Sequence, residues 1–279
     1  MTQAAVVYVG PTTVQFELPA ADSEVLPGVR WGLVEAFPTP AYWAYQVLAR
    51  RLLRGPLGHR LGATLAEEVG ACLLGGHGLP ARVGLAAFHQ LKAAGVFAGA
   101  PTASELEQLL RQPLTIDGRA VRYRFARQKA RYLSHALHCL AVNDAPTTTG
   151  RALRDWLLQL EGVGFKTASW IARNWLDADD VAIIDIHVLR AGALGGFLDP
   201  ELKVPRDYLA LEAKFLATSR AMGVRASELD AVIWHEMMAS PRSVARLMHW
   251  RATHTDRESA QRGRAEVGHA DPVDVALTD

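Results

Sequence analysis

Lys166 and Asp185 are the two side chains whose surroundings suit them best to chemistry. Lys166 follows Gly162-Val163-Gly164-Phe165, and the apolar periodicity after it places it in the first turn of a helix. A helix dipole disfavours a cation there, and the neighbours Phe165 and Ala168 are apolar, so both effects favour the neutral amine. A neutral amine can attack an electrophilic carbon and form a Schiff base. Asp185 ends the apolar run Val181-Ala182-Ile183-Ile184 and precedes a periodic segment over 186–193, the position of a helix N-cap. A carboxylate held there can stabilise positive charge that develops on a substrate. Each residue has a plainer reading: a solvated lysine, and an aspartate that only caps. Capping and chemistry are compatible.

These residues need elements to hold them. Gly162 and Gly164, with Val163 between them, suit a tight hairpin, because glycine reaches positive φ at little steric cost. The spacing predicts one helix over Arg151–Leu160, the hairpin, and a second helix over Lys166–Trp175. Unpaired N–H groups at the start of the second helix favour an anion such as a DNA phosphate. Upstream, Asp117-Gly118 signals a turn that opens the most basic stretch of the chain. Arg119, Arg122, Arg124, Arg127, Lys129 and Arg131 occur there without an acid, interleaved with Tyr123 and Phe125. That pattern suits contact with phosphates and wedging between bases. The alternative is a solvated helix face whose aromatics belong to the core.

Leu160-Glu161-Gly162-Val163-Gly164-Phe165-Lys166-Thr167-Ala168, followed by Ala182-Ile183-Ile184-Asp185-Ile186-His187, resembles the helix-hairpin-helix DNA glycosylase superfamily (HhH-GPD), closest to its 8-oxoguanine glycosylase/AP lyase branch. Hairpin, lysine and downstream aspartate at this spacing carry the resemblance, with weaker similarity in helix order from roughly 40 to 250. It implies a mainly α, two-lobed helical fold and a bifunctional enzyme that flips a modified base out of double-stranded DNA, 8-oxoguanine first among the candidates. Lys166 would be the nucleophile and Asp185 the carboxylate that stabilises the charged sugar. Gly162, Val163, Gly164, His187, Arg122, Arg124 and Lys129 would contact DNA, with His187 on a phosphate near the lesion. His77 in its glycine-rich loop, Phe165, Asp230 and Trp234 are candidates for the base pocket. One alternative keeps the chemistry but changes the substrate, for example to a bulky base in foreign DNA, with a role in defence. Another is a non-catalytic DNA-binding module, which has no need of both Lys166 and Asp185.

The 279 residues can bury a substantial core, and the 49% hydrophobic and 21% charged fractions are those of an ordinary globular protein. A net charge of +1 means that any DNA surface must be a local basic patch. Cys72 and Cys139 are too few for a thiolate cluster, so no iron–sulfur group or metal is expected, and both read as small buried hydrophobes. No signal peptide or membrane span is apparent, and the expected setting is a monomer in the cytoplasm, associated with the nucleoid.

Three regions are expected: an N-terminal extension over 1–35 with short strands at Val6–Val9 and Val14–Leu18, a helical body over 36–252 carrying the hairpin motif at 150–177, and a disordered polar tail over 253–279. Within the body, Thr39-Pro40 starts a helix and Thr64 with Glu67 fits a capping box. Further helices are expected over Pro80–Ala94, Ser104–Leu110, Ala126–Val142, 186–195, Asp207–Met222 and Ser227–Met238, with a short one over Val244–Trp250.

Overall fold

The computed structural model describes residues 2–55, 58–76, 78–251 and 253. Two antiparallel hairpins come first: β1 (Gln3–Val9) with β2 (Thr12–Leu18), and β3 (Glu24–Leu26) with β4 (Val29–Arg30). The helices α1 (Pro40–Arg54), α2 (Leu65–Leu74), α3 (Ala81–Ala93) and α4 (Ala103–Arg111) follow. A third hairpin, β5 (Leu114–Ile116) with β6 (Arg119–Val121), leads into α5 (Ala126–Val142), α6 (Gly150–Leu157), α7 (Phe165–Leu176), α8 (Ile186–Gly195), α9 (Tyr208–Ala221) and α10 (Ala226–Ala239). A further helix covers 241–251.

Local chemistry accounts for most of these boundaries. In β1 the side chains of Ala5 and Val7 are buried while Val6 and Tyr8 face solvent, the period of two that a half-covered strand requires. Thr39, Thr102 and Thr149 cap α1, α4 and α6, each hydroxyl accepting a backbone N–H in the first turn. The box at α2 is only half formed: Thr64 accepts from the Glu67 N–H, but the Glu67 carboxylate turns to the Ala63 N–H and to Lys92. The complete box is at α4, between Thr102 and Glu105. At Asp117-Gly118 both residues have positive φ, 51° and 74°, the backbone of a two-residue hairpin turn. The sequence marks this turn, yet the three-residue strands beside it are too short to show a period.

The core is built mainly between α2 and α7. Leu73, Phe88, Leu106, Leu133, Leu153 and Ile171, one from each successive helix, are all buried in a single cluster. Burying a side chain of this kind contributes roughly 1.5–3 kcal/mol. Contacts divide the chain into residues 1–234 and 235–279, so the strands of 1–35 belong to the same unit as the hairpin motif. In the second unit, the described residues complete α10 and form the helix over 241–251. Of the tail expected over 253–279, all but Thr253 lies outside the described residues. Among the described residues no helix is long and apolar enough to cross a membrane.

Candidate active site

The reversal between α6 and α7 is set by Gly162 and by α5 beside it. Helix α6 ends at Leu157, three residues before the expected stop, and Leu160 and Val163 bury their side chains in the core. Gly162 has a φ of 79°, and a Cβ added there would come within 2.2 Å of the Tyr132 ring. Glycine is therefore required twice over, by the backbone and by the close ring. Arg131, one residue before Tyr132, pairs with Glu161 at 2.7 Å, and the Glu161 N–H donates to His135 Nδ1 at 3.3 Å. Val163, 7% exposed, can offer DNA only its backbone. The exposed Gly164 precedes α7, which has no side-chain cap, so the N–H groups of its first turn face outward beside Lys166.

Lys166 is exposed at the head of α7. The apolar surroundings expected for it are not supplied by Phe165, whose ring lies stacked on Tyr208 with centroids 5.2 Å apart and planes 17° from parallel. Phe165 is half-buried, and one face of its ring is engaged by Tyr208. Trp170, one turn on from Lys166, is half-buried, and a Cβ on Gly75 would lie 3.7 Å from its ring.

Asp185 is 8% exposed and caps α8. One oxygen, Oδ1, accepts both the His187 N–H at 2.8 Å and the Val188 N–H at 2.9 Å. Oδ2 makes no hydrogen bond among the described residues, so the carboxylate is fixed by one oxygen and free at the other. His187 stands half-buried in the first turn of α8.

The connection from α7 to Asp185 is held along its length. Arg225 donates to the Asp177 carboxylate at 2.9 Å and to its carbonyl at 2.8 Å, and Asp179 accepts the Ser227 N–H at 3.0 Å. Asp180 accepts the Arg151 N–H at 3.1 Å. Residues 181–184 are buried, and two of their amides go to side chains in place of a strand: Ala182 to Glu212 at 3.0 Å and Ile184 to the Tyr208 hydroxyl at 3.2 Å. A buried amide left without a partner would cost about 1–3 kcal/mol. Glu212 also accepts from Ser169 at 3.3 Å and pairs with Arg154, both charges being buried. Arg154 and Glu212 interrupt apolar helical stripes, between Leu153 and Leu157 and between Leu211 and Phe215. That interruption was the available signal for this cluster.

The pocket candidates on α10 separate. Asp230, 3% exposed, lies 3.4 Å from Arg173. Burial pushes its carboxyl up to about 7 against the pull of Arg173 and the Ile183 N–H, with Asp185 and Asp179 adding to the rise. It is an internal support, closed off from solvent beside Arg173. Trp234 is 43% exposed, so it is available to a ligand as a core residue would not be. His77 lies outside the described residues.

Arg122, Arg124 and Arg127 are exposed, and the Arg124 guanidinium lies 5.1 Å from the Phe125 ring centroid. Lys129 departs from this group. Its half-buried amine donates to the Leu73 carbonyl at 2.6 Å and the Gly75 carbonyl at 3.0 Å, and burial lowers its pKa. It closes the end of α2, which occupies the amine expected to contact a phosphate. Tyr123 is buried and donates to the Leu74 carbonyl at 2.6 Å, so it is no wedge. Cys72 is buried as expected, whereas Cys139 is half-buried beside His135.

Comparison with known proteins places this arrangement. Residues 60–224 match the family model described as 8-oxoguanine DNA glycosylase. An 8-oxoguanine DNA glycosylase/AP lyase of Methanocaldococcus jannaschii is 32% identical over 118 residues, 40% of this chain and 56% of the relative. One of Metallosphaera sedula is 30% identical over 118 residues, 40% of this chain and 57% of the relative. The match thus spans little more than half the length of these relatives. The crystal structure of the 8-oxoguanine DNA glycosylase of Thermotoga maritima superposes with a TM-score of 0.52 at 23% identity, covering 70% of this chain and 96% of the other, a likeness in fold.

Proposed function

Because the chain belongs to the 8-oxoguanine DNA glycosylase family, we propose that it is a bifunctional DNA glycosylase/AP lyase that excises 8-oxoguanine from duplex DNA. The observation that carries this reading is the pairing of an uncapped helix start bearing Lys166 with a carboxylate, Asp185, that is fixed through Oδ1 and open at Oδ2. A module that only gripped phosphates would need the first feature and not the second.

The hairpin amides and exposed arginines hold the backbone while the nucleotide turns out of the stack, at a cost of a few kcal/mol. As the N-glycosidic bond lengthens, positive charge gathers on the sugar and the Asp185 carboxylate stabilises it. The base leaves with the bonding electron pair and takes up a proton. The Lys166 amine bonds to the sugar C1′, and ring opening gives the protonated imine. Loss of a C2′ proton then expels the 3′ phosphate and cuts the strand, and water hydrolyses the imine to restore the amine. No step calls for a cofactor.

Incubation with duplexes that each carry one modified base, scored for released base and for nicking, tests the assignment. Release of 8-oxoguanine coupled to strand cleavage is the expected result. Release without nicking would remove the lyase step, and release of a different base alone would replace the substrate.

A further inference from the structure

Helix α9 makes no claim on the chemistry by its sequence, yet it touches both halves of the site. Tyr208 and Glu212 lie one turn apart on it. The Tyr208 hydroxyl donates to the Ala182 carbonyl at 2.8 Å and accepts the Ile184 N–H at 3.2 Å, bracketing the backbone directly ahead of Asp185. Its ring stacks on Phe165, the residue directly ahead of Lys166. Glu212 repeats the arrangement with the Ala182 N–H on one side and Ser169 of α7 on the other.

We propose that Tyr208 is a positioning residue for the reaction: its hydroxyl fixes the backbone that aims the Asp185 carboxylate, its ring fixes the turn that carries Lys166, and one rigid side chain thereby sets the amine and the carboxylate relative to each other. The inference rests on the glycosylase/lyase reading of the site. Among the described residues the run 181–184 has no neighbouring strand to hold it, so its direction depends on side chains. Tyr208 is 2% exposed and its ring has few ways to move, which suits a spacer better than a long flexible side chain would. A misplacement of about 1 Å between reacting groups can lower a rate by roughly 100-fold. A tyrosine that merely filled the core would affect stability without separating chemistry from binding.

Tyr208→Phe keeps the ring and removes both hydrogen bonds. Its single-turnover rate of base release is expected to fall by roughly 10- to 100-fold, with the Kd for uncleaved lesion duplex within about twofold of wild type. Leu106→Ala, on α4 in the core, serves as a control for lost stability; at a matched Tm loss it is expected to keep the wild-type rate per folded molecule. Should Tyr208→Phe not fold, Phe165→Leu removes the ring contact from the other side and is expected to lower the same rate with Kd unchanged. An active wild type alongside Tyr208→Phe at full rate, or a loss equal to that of Leu106→Ala, overturns the positioning role alone. A wild type that neither releases base nor forms a borohydride-trapped complex overturns the glycosylase/lyase reading itself.

Discussion

At Asp185 the two oxygens have different work. Oδ1 is committed to the His187 and Val188 amides, and Oδ2 makes no hydrogen bond among the described residues. Asn caps a helix about as well as Asp, so Asp185→Asn should change stability by less than about 1 kcal/mol. Removing the charge should still slow base release by roughly 10²- to 10³-fold. Thermal melts and single-turnover kinetics on the same preparation check this, and a loss of activity that only follows a loss of folded protein would make Asp185 a structural cap. The helix starts that carry Lys166 and Asp185 were legible in the sequence because each announces itself locally, one after a glycine hairpin and one after an apolar run. Tyr208 and Glu212 were not, because their partners lie tens of positions away and a polar residue in an apolar stripe does not say what it will meet.

The elements that position these residues depend on a few exacting contacts. Gly162→Ala must hold a positive φ and force its Cβ against the Tyr132 ring. The left-handed backbone alone costs roughly 1–2 kcal/mol, so the variant should melt at lower temperature. It should also bind duplex DNA more weakly, because the hairpin that presents the α7 amides must shift; full affinity in a titration would separate the hairpin from the DNA contact. Asp230 links α10 to the approach of Asp185, facing Arg173, Asp185, Asp179 and the Ile183 amide. Its carboxyl is raised from 3.8 to about 7, chiefly by burial, so its contribution to stability is full below the unfolded-chain value and is lost as the pH rises through about 7. The Tm of the wild type should therefore fall relative to that of Asp230→Asn between pH 4 and pH 8, and a constant difference would contradict the assignment. Helix boundaries were mostly readable from threonine caps and apolar periodicity. The β5–β6 hairpin and the side-chain-bonded run 181–184 were not, since neither has the length or the partner that gives a strand its pattern.

Over the whole molecule, a net charge of +1 leaves DNA attraction to local groups, of which Arg122 and Arg124 are exposed. Each phosphate contact removed should reduce the slope of log Kd against log salt by about 0.9, so Arg122→Ala with Arg124→Ala should flatten it by nearly 2. An unchanged slope would place β6 and its following turn off the DNA path. The helical class and the family were legible from the hairpin, lysine and aspartate together, because that spacing is a local property of 25 or so residues. The pocket was less so: it depends on which late side chains the packing leaves exposed, and packing withdrew Asp230 while leaving Trp234 accessible. In the proposed reaction the Lys166 amine becomes covalently joined to the sugar. Borohydride added during reaction with an 8-oxoguanine duplex should trap wild-type protein on DNA and leave Lys166→Gln untrapped at equal DNA binding, whereas undiminished trapping of Lys166→Gln would contradict the account.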